Sequence, residues 1–197
     1  VSNPSAFDSD LFSTVDFQSG QTIQVRPFSI ETDLHLLHGW MRLPHIAPFW
    51  QLDVPLEEFR RYLNRSLSNP SRRHYMVHVG KVPVSYAMSY RVHEDEIRHH
   101  YPYRETDLGG HFVVGPRSFL TVEAIPPIVR AMLRFIFQKE NTDRIVVEPD
   151  VRNRIIIPAL QKSGFYVYSR VQLPHKKACL MLCERQVFLD ESHAEEV

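Results

Sequence analysis

The residues best suited to chemistry concentrate in one stretch, Asp107–Leu120, which reads DLGGHFVVGPRSFL. Gly109 and Gly110 lead into a short apolar strand, Phe112–Val114. His111 stands at its entrance, and Gly115-Pro116-Arg117-Ser118 follow its exit. A helical pattern then starts near Pro126-Pro127 and runs to about Glu140. Unpaired backbone N–H groups and the positive end of a helix converge at such a junction, which makes it a seat for an anion. A histidine titrates near neutrality, so His111 would place a base within reach of a ligand held there. An acid, Asp150, follows a second short apolar strand, Arg144–Val147, in the run EPDVRN.

The elements that must position these residues are legible from periodicity. Thr22–Phe28 alternates and predicts a strand. Glu31–Arg42 carries apolar or aromatic residues at 34, 37, 40 and 41, which is helical spacing. Pro44–Trp50 (PHIAPFW) reads as irregular. Pro55 is a first-turn residue for a helix reaching Leu67, with apolar positions 56, 59, 62, 63 and 67. Arg73–Val79, the turn Gly80-Lys81 and Val82–Val92 predict a hairpin. Residues 93–110 read as a loop, longer than the roughly 12–15 residues above which loops are usually functional or linkers. A helix is expected from about Arg152 to Lys162, with Pro158 predicting a kink or a late start, and Gly164 closing it. Strands Phe165–Leu173 and Lys177–Glu184 follow. The order predicts an α/β (α+β) protein with a mixed sheet of about seven strands flanked by helices. The expected organisation is a flexible arm over 1–20, one domain over 21–187 and a polar tail over 188–197.

Composition narrows the function classes. The chain has 197 residues, 43% hydrophobic and 23% charged, with a formal net charge of zero. A neutral chain has no global field favouring nucleic acid or an anionic membrane, so neither is an expected partner. No apolar run approaches the roughly 18 residues of a membrane span, and no signal peptide is expected. Cys179 and Cys183 on one strand would share a face about 13 Å apart, too far for a mutual disulfide. Reduced, buried cysteines fit a cytoplasmic protein. His93, His99 and His100 match no compact zinc spacing, so no metal is expected. The chain begins at Val1, which leaves open a piece of a larger protein.

The predicted order resembles the GNAT acyltransferase fold. HGWMRLPHIAPFW (38–50), DLGGHFVVGP (107–116), VVEPDVRN (146–153) and LPHKKACLMLCER (173–185) resemble the acyltransferases of hydroxamate siderophore biosynthesis. The resemblance spans roughly residues 22–187. It implies transfer of an acetyl or succinyl group from acetyl-CoA or succinyl-CoA, a co-substrate, to an N-hydroxylated amine such as N-hydroxylysine, N-hydroxycadaverine or N-hydroxyputrescine. It also implies a siderophore synthetase as partner, fused or separate. His111 and Asp150 match the family's base and acid. The implied acyl-CoA contacts are Phe112, Val113, Gly115, Arg117, Ser118 and Asn153. Two departures stand out: no glycine follows Arg117, and Leu160 occupies the position of the wider fold's acidic tyrosine.

The chemistry such residues perform is modest. A thioester carbonyl and a hydroxylamine nitrogen need alignment, removal of one proton and an oxyanion donor, here the N–H of Phe112 or Val113. No Ser or Cys stands beside His111 in sequence, so direct transfer without an acyl-enzyme is expected. Trp40, His45, Phe49 and Trp50 are expected to wall the acceptor pocket. Acids near the loop, Glu94, Asp95, Glu96 and Asp107, are expected to hold its far ammonium. Plainer roles stand beside these. Asp150 and Asn153 both suit helix caps, Trp40 suits the core, and Arg117 suits a solvated surface. Acylation of another amine, such as an aminoglycoside, and a non-catalytic acyl-CoA-binding module are the competing functions.

Overall fold

A computed structural model describes residues 11–16 and 19–194, with side chains to Asp190. One mixed eight-stranded sheet runs β1-β2-β3-β4-β5-β6-β8-β7. Its strands are β1 Phe12–Val15, β2 Thr22–Pro27, β3 Arg72–Val79, β4 Val82–Arg91, β5 Leu108–Val114, β6 Arg144–Val147, β7 Tyr166–Gln172 and β8 Lys177–Glu184. Every neighbouring pair is antiparallel except β5 and β6, which are parallel. Helices α1 Ile30–Met41, α2 Ala47–Trp50 and α3 Leu56–Leu67 follow β2, whereas α4 Ile125–Lys139, α5 Ile156–Gln161 and α6 Arg185–Ala194 follow β5, β6 and β8.

The strand period of two sorts the core into two layers. Val77, Ala87, Val114, Ile145 and Cys179 point to the face covered by α4 and α5. Met76, Met88, Val113, Val146 and Leu180 point to the face covered by α1 and α3. The helical spacing read from sequence holds on that second face, since Leu34, Leu37, Trp40 and Met41 of α1 are all buried. In α3 the buried apolar positions are Phe59 and Leu63. The α1 entrance is fixed by Asp33, which accepts from the Ser29 N–H and takes both arms of the Arg26 guanidinium at 2.7 Å.

Three expectations change. The arm expected over 1–20 contributes β1: Phe12 packs its ring 5.5 Å from Phe135, and Asp16 pairs with Arg130 at 2.7 Å. Both partners lie more than a hundred positions away, so local periodicity carries no trace of them; residues 1–10, 17 and 18 lie outside the described residues. The tail expected from 188 begins inside α6, because Phe188 is buried 5.8 Å from the Phe137 ring. Residues 195–197 lie outside the described residues. In the loop, Val92–Glu94 and Glu96–His100 form short 3-10 turns, and Leu108–Gly110 already belong to β5. The helix expected from Arg152 starts late, at Ile156, as Pro158 implies. Cys179 and Cys183 are buried on β8 and are not in a disulfide.

Candidate active site

The site forms where β5 leaves β6. The two strands pair only at Leu108↔Ile145 and Gly109↔Val146. Beyond that point β5 stays on β4, through Met88↔His111, Ala87↔Phe112 and Tyr86↔Val113, and its other edge faces a gap. Antiparallel ladders bond alternate residues to a given neighbour. The Gly115 N–H donates to Val84 O and the Val92 N–H to Asp107 O, so odd-numbered β5 residues bond to β4. The amides of Phe112 and Val114 therefore face the gap, while that of Val113 is spent in the sheet. Of the two expected oxyanion donors, the ladder leaves Phe112 free to act.

His111 stands at the mouth of this gap. Its Nδ1 lies 3.3 Å from Glu148 Oε1, and its side chain is 33% exposed against 6% for Glu148. Its ring stacks on Tyr90 at 5.0 Å and 17°, with Trp50 edge-on at 6.4 Å. Glu148 also accepts from the Tyr90 hydroxyl and from Lys176 Nζ, both at 3.4 Å. Burial and the Glu148 charge hold the Tyr90 phenol well above its ordinary value, so it stays a donor. Among the described residues no group hydrogen-bonds His111 Nε2, so that nitrogen is available to a ligand.

The two flanking glycines have steric causes. A methyl on Gly109 would collide with the Tyr90 ring, and a methyl on Gly115 would collide with the Trp40 indole. The first keeps Tyr90 flat beneath His111; the second lets α1 close on the end of β5.

A cleft of about 440 Å³ opens in front of His111, lined among others by Phe49, Trp50, Tyr62, Arg72, Glu148, Asp150, Arg152, Asn153 and Lys176. On the α4 side the gap continues as a small apolar cavity lined by Gly110, Phe112, Met132, Val147 and Leu160.

Several expected site residues have other partners or stand elsewhere. Asp150 lines the cleft but is turned to Arg152 and not to His111: its carboxylate accepts from Arg152 Nε at 2.9 Å, from Arg152 Nη2 at 2.7 Å and from the Arg152 backbone N–H at 2.8 Å. Those contacts hold its carboxyl below the usual range. Asp107 faces away from the cleft. It is buried against Arg144 at 2.6 Å and accepts from the Tyr101 hydroxyl at 2.8 Å, which makes it a structural ion pair. Glu94, Asp95 and Glu96 do not line the cleft either; Glu94 accepts from the Ser71 hydroxyl and Asp95 caps a 3-10 turn. Phe49 and Trp50 do wall the cleft, but Trp40 and His45 sit at the other end of β5. There the His45 Nε2–H donates to Gly115 O at 3.1 Å, beside Arg117. Asn153 borders the cleft, and its Oδ1 accepts from the N–H of Ile156, the first residue of α5, at 2.9 Å. Arg117 and Ser118 are exposed on a 3-10 turn ahead of α4. Glu148, Tyr90, Lys176 and Arg72 escaped the sequence reading. Glu148 alone had a signal, since it lies in the same EPD run and shares the strand parity of Asp150.

Comparison with known proteins places this architecture. Residues 29–173 match the acetyltransferase (GNAT) domain family model. The N-hydroxyputrescine acetyltransferase of Acinetobacter baumannii is 29% identical over 172 residues, covering 85% of this chain and 80% of that protein. The hydroxyornithine transacylase SID3 of Ajellomyces capsulatus is 27% identical over 83% of this chain, but the match covers only 37% of that longer protein. An uncharacterized protein from Bacillus halodurans superposes with a TM-score of 0.87 at 33% identity, over 94% of this chain and 96% of its own. The aminoglycoside acetyltransferase AAC(6')-Ib in complex with coenzyme A superposes with a TM-score of 0.77 at 24% identity, over 86% and 99% of the two chains, which shows the shared fold. The split sheet and the length of the family match agree, and the chain belongs to the GNAT acetyltransferase family.

Proposed function

We propose that this protein transfers an acyl group from acyl-CoA to the nitrogen of an N-hydroxylated amine, the hydroxamate-forming step of siderophore biosynthesis, with His111 as base. The observation that carries this reading is the His111–Glu148 pair at the mouth of the β5–β6 gap, in a chain with relatives named for hydroxyputrescine and hydroxyornithine.

In this reading the thioester enters the gap and its carbonyl oxygen meets the Phe112 N–H. Phe112, Val114 and Gly115 line its path, with the Arg117-Ser118 turn beside the phosphates. The hydroxylamine nitrogen attacks the carbonyl carbon from the cleft, walled by Phe49 and Trp50. His111 Nε2 takes the nitrogen's proton, while Glu148 holds Nδ1–H and the positive charge that develops. The C–N bond forms, the C–S bond breaks, and the departing CoA thiolate takes a proton from the imidazolium or from water. Asp150 acts indirectly, by fixing Arg152 over Phe49, where the guanidinium carbon lies 5.8 Å from the ring centre. The hydroxamate then passes to a siderophore synthetase, fused or separate. Reduced Cys179 and Cys183 and the need for acyl-CoA support a cytoplasmic location.

A polycationic aminoglycoside fits poorly in a cleft that already contains Arg72, Arg152 and Lys176. The test is thiol release from acetyl-CoA and succinyl-CoA with N-hydroxyputrescine, N-hydroxycadaverine or N-hydroxylysine, with the hydroxamate identified by mass. Release that depends on the hydroxylated acceptor is expected. Coenzyme A binding with no turnover on any acceptor would instead make the protein a binding module.

A further inference from the structure

The cleft holds a charge that the reaction itself does not use. Arg72 lies at the start of β3, opposite Tyr90, on the same sheet face as His111. Two strand spacings across and two residues along separate their Cα atoms by about 12 Å. Its half-buried guanidinium makes one hydrogen bond among the described residues, to Ser66 Oγ at 3.2 Å, and no ion pair. Beside it stands Tyr62, whose hydroxyl has no partner among the described residues and whose ring is stacked on buried Phe59 at 6.3 Å and 20°. The two acids in the cleft are already committed, Asp150 to Arg152 at 2.7 Å and Glu148 to His111 and Lys176 at 3.3 and 3.4 Å. No carboxylate lining the cleft is therefore free to receive a distal ammonium, whereas one fork of N–H donors is free to receive a carboxylate.

We propose that Arg72, with the Tyr62 hydroxyl, is a carboxylate subsite at the far end of the cleft, so that one of the two substrates carries a free carboxylate. A partly desolvated guanidinium is costly without a counter-charge, and its planar fork matches a carboxylate bidentately. The carboxylate has two chemical sources: the α-carboxylate of an N-hydroxylated amino acid acceptor, or the distal carboxylate of a dicarboxylic acyl thioester. The subsite rests on the acyltransferase reading and narrows its substrate class.

The test pairs acetyl-CoA or succinyl-CoA with N6-hydroxylysine or N-hydroxycadaverine, for the wild-type protein and for Arg72→Met, Arg72→Lys and Tyr62→Phe. Arg72→Met is expected to raise KM for a carboxylate-bearing substrate about 10–100-fold more than for its carboxylate-free counterpart, the cost of a lost charged hydrogen-bonding partner. Arg72→Lys should restore part of the preference, and Tyr62→Phe, which keeps the ring, should weaken it several-fold. A penalty that follows hydroxylysine places the subsite on the acceptor; one that follows succinyl-CoA places it on the acyl group. Equal effects on all four pairs, or none, overturn the subsite. Absence of wild-type turnover with every pair overturns the acyltransferase reading separately. Calorimetric titration of N6-hydroxylysine and of succinyl-CoA into wild type and Arg72→Met then still reads the subsite: weaker binding of either to the variant supports it, and unchanged binding of both overturns it.

Discussion

His111 Nδ1 lies 3.3 Å from Glu148 Oε1, and that carboxylate is shared with the Tyr90 hydroxyl and Lys176. A carboxylate this close to Nδ1 favours the tautomer that carries its proton there, which leaves Nε2 facing the cleft. His111→Ala is expected to lower turnover by about 10²–10⁴-fold, the usual loss for a general base. Glu148→Gln retains the shape but lets the amide present either N or O, and it removes the charge that supports the imidazolium. It should lower kcat more than it raises KM for acyl-CoA. Wild-type kcat in either variant would remove the pair from the mechanism.

The glycines at the two ends of β5 separate stability from catalysis. Gly109→Ala and Gly115→Ala each force a methyl into a buried aromatic ring, Tyr90 or Trp40. Overpacking of this kind costs about 1–3 kcal/mol, read as a shift in the denaturation midpoint. Only Gly109→Ala displaces the ring under His111, so only it should also depress kcat. Equal kinetic damage from both would show that Tyr90 does not position the base.

Asp107 was expected to meet the substrate, and the fold gives it a different duty. Its side chain is fully buried against Arg144 at 2.6 Å. Asp107→Asn removes the nearer of the two carboxylates on that guanidinium, leaving Glu184 at 3.6 Å, and should cost about 1–3 kcal/mol of stability. At a temperature where the variant remains folded, its KM for the acceptor should match wild type. A selective rise in that KM would return Asp107 to the site.

His74, beside Arg72, predicts an acid-side loss of stability. Its Nδ1 lies 2.6 Å from the Tyr86 hydroxyl and its Nε2 3.2 Å from Ser66 Oγ. Burial pushes the imidazole below its ordinary value; the Ser66 contact opposes this and Arg72 adds to it. The unfolded chain therefore binds more protons than the folded one below an unfolded pKa of about 6.5, and the unfolding free energy falls with pH across that window. Urea midpoints measured from pH 8 to 5 should decline, and His74→Gln should flatten the decline. An unchanged slope in the variant would assign the effect to other histidines.

How much of this was legible beforehand follows from what is local. The apolar spacing of α1 and α3, the β3–β4 hairpin around Gly80 and His111 beside the Gly109-Gly110 pair depend on residues a few positions apart, and the sequence by itself determined them. Resemblance added the fold and the acyl-CoA chemistry. The partner of His111 was beyond its reach. Glu148 and Asp150 are two apart and share a strand's parity, so the EPD run offers both to the same face. Tertiary structure chose between them through register. Gly109 sits opposite Val146, which sets His111 level with Glu148 and carries Asp150 one pleat further, into Arg152. Lys176 and Arg72 reach the cleft, and Tyr90 the underside of His111, from separate strands or the β7–β8 turn, and only the pairing of distant strands brings them together.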